Sequence, residues 1–296
     1  MSGISTNRTN ITLPTDISAE IMQKAQEESA VMSLARKITL PGRGLTIPVI
    51  TSDPEAAWVD ETAAKPVSNP GLNTKIMQAY KLAVIVPFSD EFRRDLSSLY
   101  DALVARLPRA LAAKFDATVF HGTAPGSNFD TFASVTAQTI SGSGNSVYKA
   151  LVAAETGIAT AGGILNGFAM SPQGKGEMLA SVDDNKRPLF INSVADGAIP
   201  RLIGAPVAYS KAAYKAGTSS PAVADVLGFA GDWTQAMYGT VEGIKIDMSD
   251  QASLPIGASN AMISLWQNNM FAVRAEIEVG FRADTNLFQK ITRTHA

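Results

Sequence analysis

The sequence predicts an α+β fold, and three stretches carry that prediction. "LTIPVI" and "YKLAVIVPF" are strand-like runs separated by a polar excursion of about two dozen residues. Residues 89–122 carry apolar side chains every three or four positions, the pattern of a long helix with one apolar face. Residues 271–282 alternate apolar with mainly charged side chains, the pattern of a long strand with one face on a core.

Along the chain, residues 1–15 are polar and predict an arm that orders only when something holds it. "DISAEIMQKAQEESAVMSLARK" predicts a helix capped by Asp16 or Ser18, with a broken stripe of Ile17, Ile21, Met22, Ala25, Met32 and Ala35. Pro41, Gly42 and Gly44 end it. The two strand-like runs then predict a ribbon from Leu45 to Phe88, each limb reaching up to about 40 Å at 3.3 Å per residue. An isolated two-stranded ribbon is marginally stable in water, so this one should lie on something.

The long helix has a cap at Ser89 and an acidic first turn at Asp90 or Glu91. Leu96, Leu99, Leu103, Leu107, Leu111, Phe115 and Val119 form its apolar face, and Gly122 ends it. Pro108 predicts a kink or break near Leu107. From Leu96 to His121 the rod would be about 39 Å long. "GTAPGSNFDTF" and "ISGSGNS" are loops. Helices near 146–161 and 172–182 then alternate with strands "GFAMS", "PVAYS", "DVLGFA" and "GIKIDMS", joined by the connector "ATAGGILNG" and the turn "GDWTQ", predicting an α/β lobe of about 110 residues. The long helix is the best core partner for strand 271–282.

Composition narrows the function classes. The chain has 296 residues, 46% hydrophobic and 18% charged, enough for a sizeable core. A net charge of −2 gives no electrostatic case for nucleic acid or an anionic membrane as main partner. Cysteine is absent, which excludes a disulfide framework, a thiolate metal site and a cysteine nucleophile. No apolar run has the length of a membrane span. The start "MSGISTNRTNITLPTD" lacks the basic and apolar blocks of a signal peptide, so a cytoplasmic product is expected.

The chemical motifs fail one by one. His121, where a helix ends, is expected to act as a C-terminal cap or dipole partner rather than a base, and His295 to be mobile near the chain end. "QGKGE" lacks the upstream glycine and the Ser/Thr of a phosphate loop; Ser171 as cap and Pro172 at the first helical position explain it better. "SGSGNS" is a flexible turn, and "VDDNKR" a solvated turn without calcium-loop spacing. Arg93 and Arg94 suit weak salt bridges within or between subunits, not a nucleic-acid patch. No catalytic, cofactor-binding or metal-binding residues are assigned. An arm, a projecting ribbon, a long rod and a half-charged strand together suit contact with copies of the same chain.

The phrases "AAWVDETAAKPVSN", "KLAVIVPFSDEFRRDLSSLYDAL", "FDATVFHGTAPG", "LIGAPVAYS", "GDWTQAMYGTVEGIKIDMSD" and "NNMFAVRAEIEVGFRADTNLFQKI" follow one another in that order. With them, from about Asp16 to Ile291, the sequence resembles the major capsid proteins of tailed bacteriophages, the Hong Kong 97-type fold. "AAWVDETAAKPVSN" resembles that family's extended loop, with its Ala-Trp-Val-acidic-Glu phrase before a polar tip. "KLAVIVPFSDEFRRDLSSLYDAL" resembles the returning strand and the entry to the spine helix, and "FDATVFHGTAPG" the end of that helix. "LIGAPVAYS" and "GDWTQAMYGTVEGIKIDMSD" resemble its axial domain, and "NNMFAVRAEIEVGFRADTNLFQKI" the closing strand of its peripheral domain. The order and spacing of these phrases carry the resemblance.

The resemblance implies an N-terminal arm and helix at 1–44, an extended β-hairpin loop at 45–88, a peripheral domain with the spine helix at 89–144 and 259–296, and an α/β axial domain at 145–258. The ribbon would lie across a neighbouring subunit, with Trp58 as anchor and Asp60, Glu61, Lys65, Arg93 and Arg94 as further contact candidates. The alternative packs Trp58 on its own subunit's core. The implied function is self-assembly through hexamers and pentamers into an icosahedral head around double-stranded DNA, touched non-specifically. Implied partners are other copies of the chain, a scaffolding protein, a maturation protease, a portal and decoration proteins. Assembly would occur in the host bacterial cytoplasm, with no membrane and no cofactor. Met1 stands almost at the arm, so either scaffolding is a separate protein or the chain is mature-like. Some members join a loop lysine to an asparagine; here Lys65, Lys75, Asn268 and Asn269 lie in the relevant regions, with ordinary solvated lysines the default. An encapsulin-type nanocompartment shell is the competing reading, and an α/β enzyme a remote third.

Overall fold

The computed structural model describes residues 29–295 except 43, 53–55, 57, 60–64, 66, 68–70, 91–95, 142–145, 184, 191–198 and 257–260. A short helix α1 (Ala30–Leu34) is capped by Ser29 and leads directly into strand β1 (Arg36–Thr39). The ribbon strands β2 (Leu45–Ser52) and β3 (Gly71–Met77) precede β4 (Tyr80–Ser89). The rod is α2 (Leu96–His121), followed by β5 (Thr136–Ile140). The next stretch alternates α3 (Ser146–Thr160), β6 (Gly167–Met170) and α4 (Pro172–Ala180). After β7 (Arg201–Leu202), β8 (Ala205–Tyr209), β9 (Thr218–Ser219) and β10 (Ala222–Val223) come β11 (Asp225–Gly231), β12 (Ala236–Thr240) and β13 (Lys245–Ser249). A hairpin of β14 (Ser253–Ile256) and β15 (Ala261–Ser264) precedes β16 (Met270–Ala283) and β17 (Phe288–Arg293).

Two sheets organise these elements. In the first, β16 is the spine: β4 pairs along one edge from Val279↔Tyr80 to Met270↔Ser89, while β12 and β13 share the other, and β1 lies parallel on β12. The second has the order β5-β17-β11-β6-β8-β7. Pairing therefore crosses the linear division of the chain. β5 and the C-terminal β17 join the lobe that holds α3 and α4, and β12 and β13 join the sheet of β16.

Alternation along β16 does what its sequence implies. Phe271, Val273, Ala275, Ile277, Val279 and Phe281 are buried. Leu107 and Leu111 of α2 share a core with residues 271–277, and Phe115 and Val119 share the next core with Val279 and Phe281. That second core is aromatic: Phe132 stacks on Phe288 at 4.3 Å between ring centroids, and Phe120 on Phe229 at 4.9 Å. Each such fully buried ring contributes about 1.5–3 kcal/mol by burial alone. A third core lies between the second sheet and α3, with Leu151, Ile158, Phe168 and Ile291 fully buried.

Three local expectations are corrected. Lys37 does not continue a helix, because residues 36–39 pair with Met237–Thr240 in a strand; the segment from Asp16 to Glu28 lies outside the described residues. α2 is not broken at Pro108 and runs from Leu96 to His121 as one helix, since one lost backbone hydrogen bond is small against the packing of a 26-residue rod. The returning strand 80–88 is not the ribbon's second limb. β2 pairs with β3, from Leu45↔Met77 to Ser52↔Gly71, and β4 belongs to the sheet of β16.

Candidate assembly interface

The ribbon starts from a buried root. Leu40, Ile47 and Met77 form a small core of their own, with Leu45, Ala79, Met237 and Val241 packed around it. It sits on the first sheet where Gly239 faces Gly280 across β12 and β16. A Cβ on Gly280 would lie 2.6 Å from the Gln78 carbonyl oxygen, and one on Gly239 would lie 2.5 Å from the Leu40 side chain. The paired glycines are what let the root approach the sheet this closely.

Polar groups hold the same root from the side. Arg282, 8% exposed in β16, donates from Nε to the Ile76 carbonyl (2.8 Å), from Nη1 to Asp130 (2.8 Å) and from Nη2 to Asn128 (2.9 Å). The Asp130 carboxylate also accepts from the Ala283 amide at 3.1 Å. Lys75 Nζ donates to the Ala283 carbonyl at 3.0 Å and lies 3.9 Å from Asp130. The lysine expected to be simply solvated is thus tethered within its own chain.

Beyond the root, the ribbon strands pair only with each other among the described residues. Trp58 has a relative exposure of 105% and Val67 of 87%, and Lys65 is exposed. The Trp58 ring is thus fully exposed on the single subunit. Asp60, Glu61, Arg93 and Arg94 lie outside the described residues.

The solvent face of the first sheet carries the charges that alternate with the core positions. Arg274 donates to Asp247 at 2.7 Å and reaches Glu276 at 3.3 Å, while Lys81 lies 3.5 Å from Glu278 across β4 and β16. These exposed pairs are individually weak.

A second hub joins the start of the described chain to the rod. Asp116, fully buried in α2, accepts from Ser29 Oγ (2.5 Å), from the Ala30 and Val31 amides (3.0 and 3.4 Å) and from Ser210. It caps α1 from a remote part of the sequence. Burial pushes its pKa above the ordinary carboxylate value, against the pull of these donors. Neither Asp116 nor Arg282 was singled out from the sequence. Their partners lie 85 or more residues away, and Arg282 falls in step with the charged positions of β16, so no local pattern sets it apart.

His121, His295, Ser171 and Asp183 each make contacts within the subunit. His121 presents Nε2 to the Ala213 carbonyl at 3.1 Å and packs its ring against Phe229. Burial lowers its pKa to about 4, so at neutral pH the ring is uncharged and is no cationic partner for the helix dipole. His295 is held, with Nδ1 2.7 Å from Asp225. Ser171 caps α4 by accepting from the Gly174 amide, with Pro172 in the first turn, so that amide is not available to a phosphate. Asp183 closes the "VDDNKR" turn by accepting from the amides of Asn185 and Arg187. Among the described residues no three His, Asp or Glu side chains converge as metal ligands, and no helix is long and apolar enough to cross a membrane.

Solved structures share this architecture. The Gordonia phage Cozz chain superposes with a TM-score of 0.71 at 19% identity, covering 91% of this chain and 88% of that one. A Mycobacterium phage Bobi chain gives 0.70 at 20% identity, covering 90% and 91%. A chain from the capsid of an empty GTA particle gives 0.63 at 16% identity, covering 91% and 90%. The fold is the Hong Kong 97-type capsid fold. A model of the phage capsid family matches residues 9–288. The probable major capsid protein gp17 of Mycobacterium phage L5 is 29% identical over 292 residues, 92% of this chain and 86% of that one. Its counterpart in Mycobacterium phage D29 is 28% identical, with 91% and 86% covered. The chain belongs to the phage capsid family, and its function is that of a major capsid protein of tailed phages. The encapsulin reading is not favoured.

Proposed function

We propose that the chain assembles through hexamers and pentamers into an icosahedral head around double-stranded DNA, and that the ribbon braces each subunit against the next. The observation that carries the brace is Trp58, an aromatic side chain left wholly in solvent on a ribbon whose root is buried and clamped. Burying such a ring on a neighbour recovers an anchor's worth of apolar surface. Asp60, Glu61, Lys65, Arg93 and Arg94 are further candidates for polar contacts between subunits, individually weak when exposed. Repetition of modest contacts around a closed surface makes the shell stable.

The same reading keeps the arm, the extended loop and the peripheral and axial units that the resemblance implies, with β4, β12 and β13 reassigned to the peripheral sheet and β5 and β17 to the axial one. It takes a scaffolding protein, a maturation protease, a portal and decoration proteins as partners, meets packaged DNA without sequence preference, assembles in the host bacterial cytoplasm and performs no catalysis. The test replaces residues 56–70 by a short turn. The expected product is a folded, soluble subunit that builds no shells in electron micrographs. Normal shells from that variant would refute the brace.

A further inference from the structure

We propose that Arg282 is the positioning residue that sets the direction in which the ribbon leaves the subunit. This rests on the reading of the ribbon as a brace. Around the joint at residues 75–80 the chain passes from β3 into β4 through Gln78 and Ala79, and groups from three other segments hold it there. Arg282 takes the Ile76 carbonyl before the junction. Asn128, itself held by Arg282, donates its side-chain amide to Gln78 Oε1 at 3.4 Å within the junction, and its backbone amide to the Tyr80 hydroxyl at 3.3 Å beyond it. Asp130, the other partner of Arg282, is fixed through its amide on the Phe281 carbonyl at 3.2 Å and its carboxylate on the Ala283 amide. Met77, just before the junction, is seated on the Gly239–Gly280 pair.

The fork of the guanidinium matters here. It directs three hydrogen bonds in one plane to a backbone carbonyl, a carboxylate and an amide oxygen, which a lysine ammonium on a flexible stem cannot reproduce. Small errors at this joint are amplified. From Met77 out to Val67 an extended limb reaches at most about 33 Å, so a tilt of about 10° at the root displaces the tip by roughly 6 Å. That is twice the length of a hydrogen bond, enough to miss a docking pocket on the next copy.

The absence of cysteine allows the angle to be measured directly. Nitroxides are placed at Val67→Cys and Lys149→Cys, the labelled chain is diluted into excess unlabelled protein, and the intramolecular distance is read by pulsed electron resonance. The expected result is one narrow distance distribution in the parent, a broad one in Arg282→Lys and Asn128→Ala, and loss of most shells in both, with the circular dichroism of the folded subunit retained. An unchanged narrow distribution in whichever of the two variants folds overturns the proposal. The chain with residues 56–70 replaced is carried alongside. If it builds normal shells the brace fails, while the distance measurement still decides the clamp; if it fails to build shells and Arg282→Lys builds them normally, the brace stands and the clamp falls.

Discussion

Arg282 and Asp130 lie 152 residues apart in the chain and meet at 2.8 Å beneath the root of the ribbon. The contact joins β16 to the loop after the rod, and both partners are mostly buried. Removing one side leaves the other charge largely desolvated and the Ile76 carbonyl or the Ala283 amide without its donor or acceptor. Asp130→Ala is expected to cost the subunit about 2–4 kcal/mol in urea denaturation. Lys81→Ala, which breaks an exposed pair with Glu278, should cost under about 1 kcal/mol in the same assay.

Asp116 predicts a second large effect. Asp116→Ala strands the Ser29 hydroxyl and the amides of Ala30 and Val31, all buried, and should destabilise by about 2–4 kcal/mol. Hydrogen exchange at residues 30–34 should rise before that of the sheet core, because the lost bonds belong to α1.

Two shifted groups, His121 and Asp116, pull stability in opposite directions with pH. His121 has a folded pKa of about 4 against an ordinary 6.5, so the unfolded chain binds more protons between these values. Its contribution is complete above pH 6.5 and is lost as pH falls towards 4. Asp116 is raised above 3.8, so its contribution is complete below that value and is lost as pH rises through the raised pKa. From pH 7 to pH 5 the His121 contribution should lower stability by about 1 kcal/mol, a figure reduced for its partial exposure. His121→Gln should flatten that limb in urea titrations at the two pH values.

Gly280 predicts a steric effect without loss of any contact. Gly280→Ala brings a methyl against the Gln78 carbonyl, and the root must shift. The expected cost is about 1–3 kcal/mol by thermal denaturation, with the first sheet intact and the ribbon strands less protected from exchange.

What was legible in the sequence is what repeats locally. β16 announced itself because Phe271 to Phe281 alternate without a break, and α2 because Leu107, Leu111, Phe115 and Val119 recur at helical spacing. The cap at Ser171 needed only its neighbours. The split between β3 and β4 was hidden, since Gln78 and Ala79 carry no turn residue and both strands are β-prone. The choice of β16 over β2 as partner for β4 is set by Leu82, Val84, Val86 and Phe88 packing into the core of the rod, which no local pattern records. β1 was read as the tail of a helix because its pairing with β12 spans two hundred residues and its four residues show no alternation of burial. At the ribbon tip the reverse holds: Trp58 drew attention by being an aromatic residue in a polar stretch, and its exposure sharpens that signal.

The brace itself is tested most directly by cryo-electron microscopy of the assembled particle at side-chain resolution. The account predicts density for the Trp58 ring buried against an adjacent copy, with the ribbon draped over that neighbour. A Trp58 ring facing solvent in the closed shell, or a ribbon folded back on its own subunit, would contradict it.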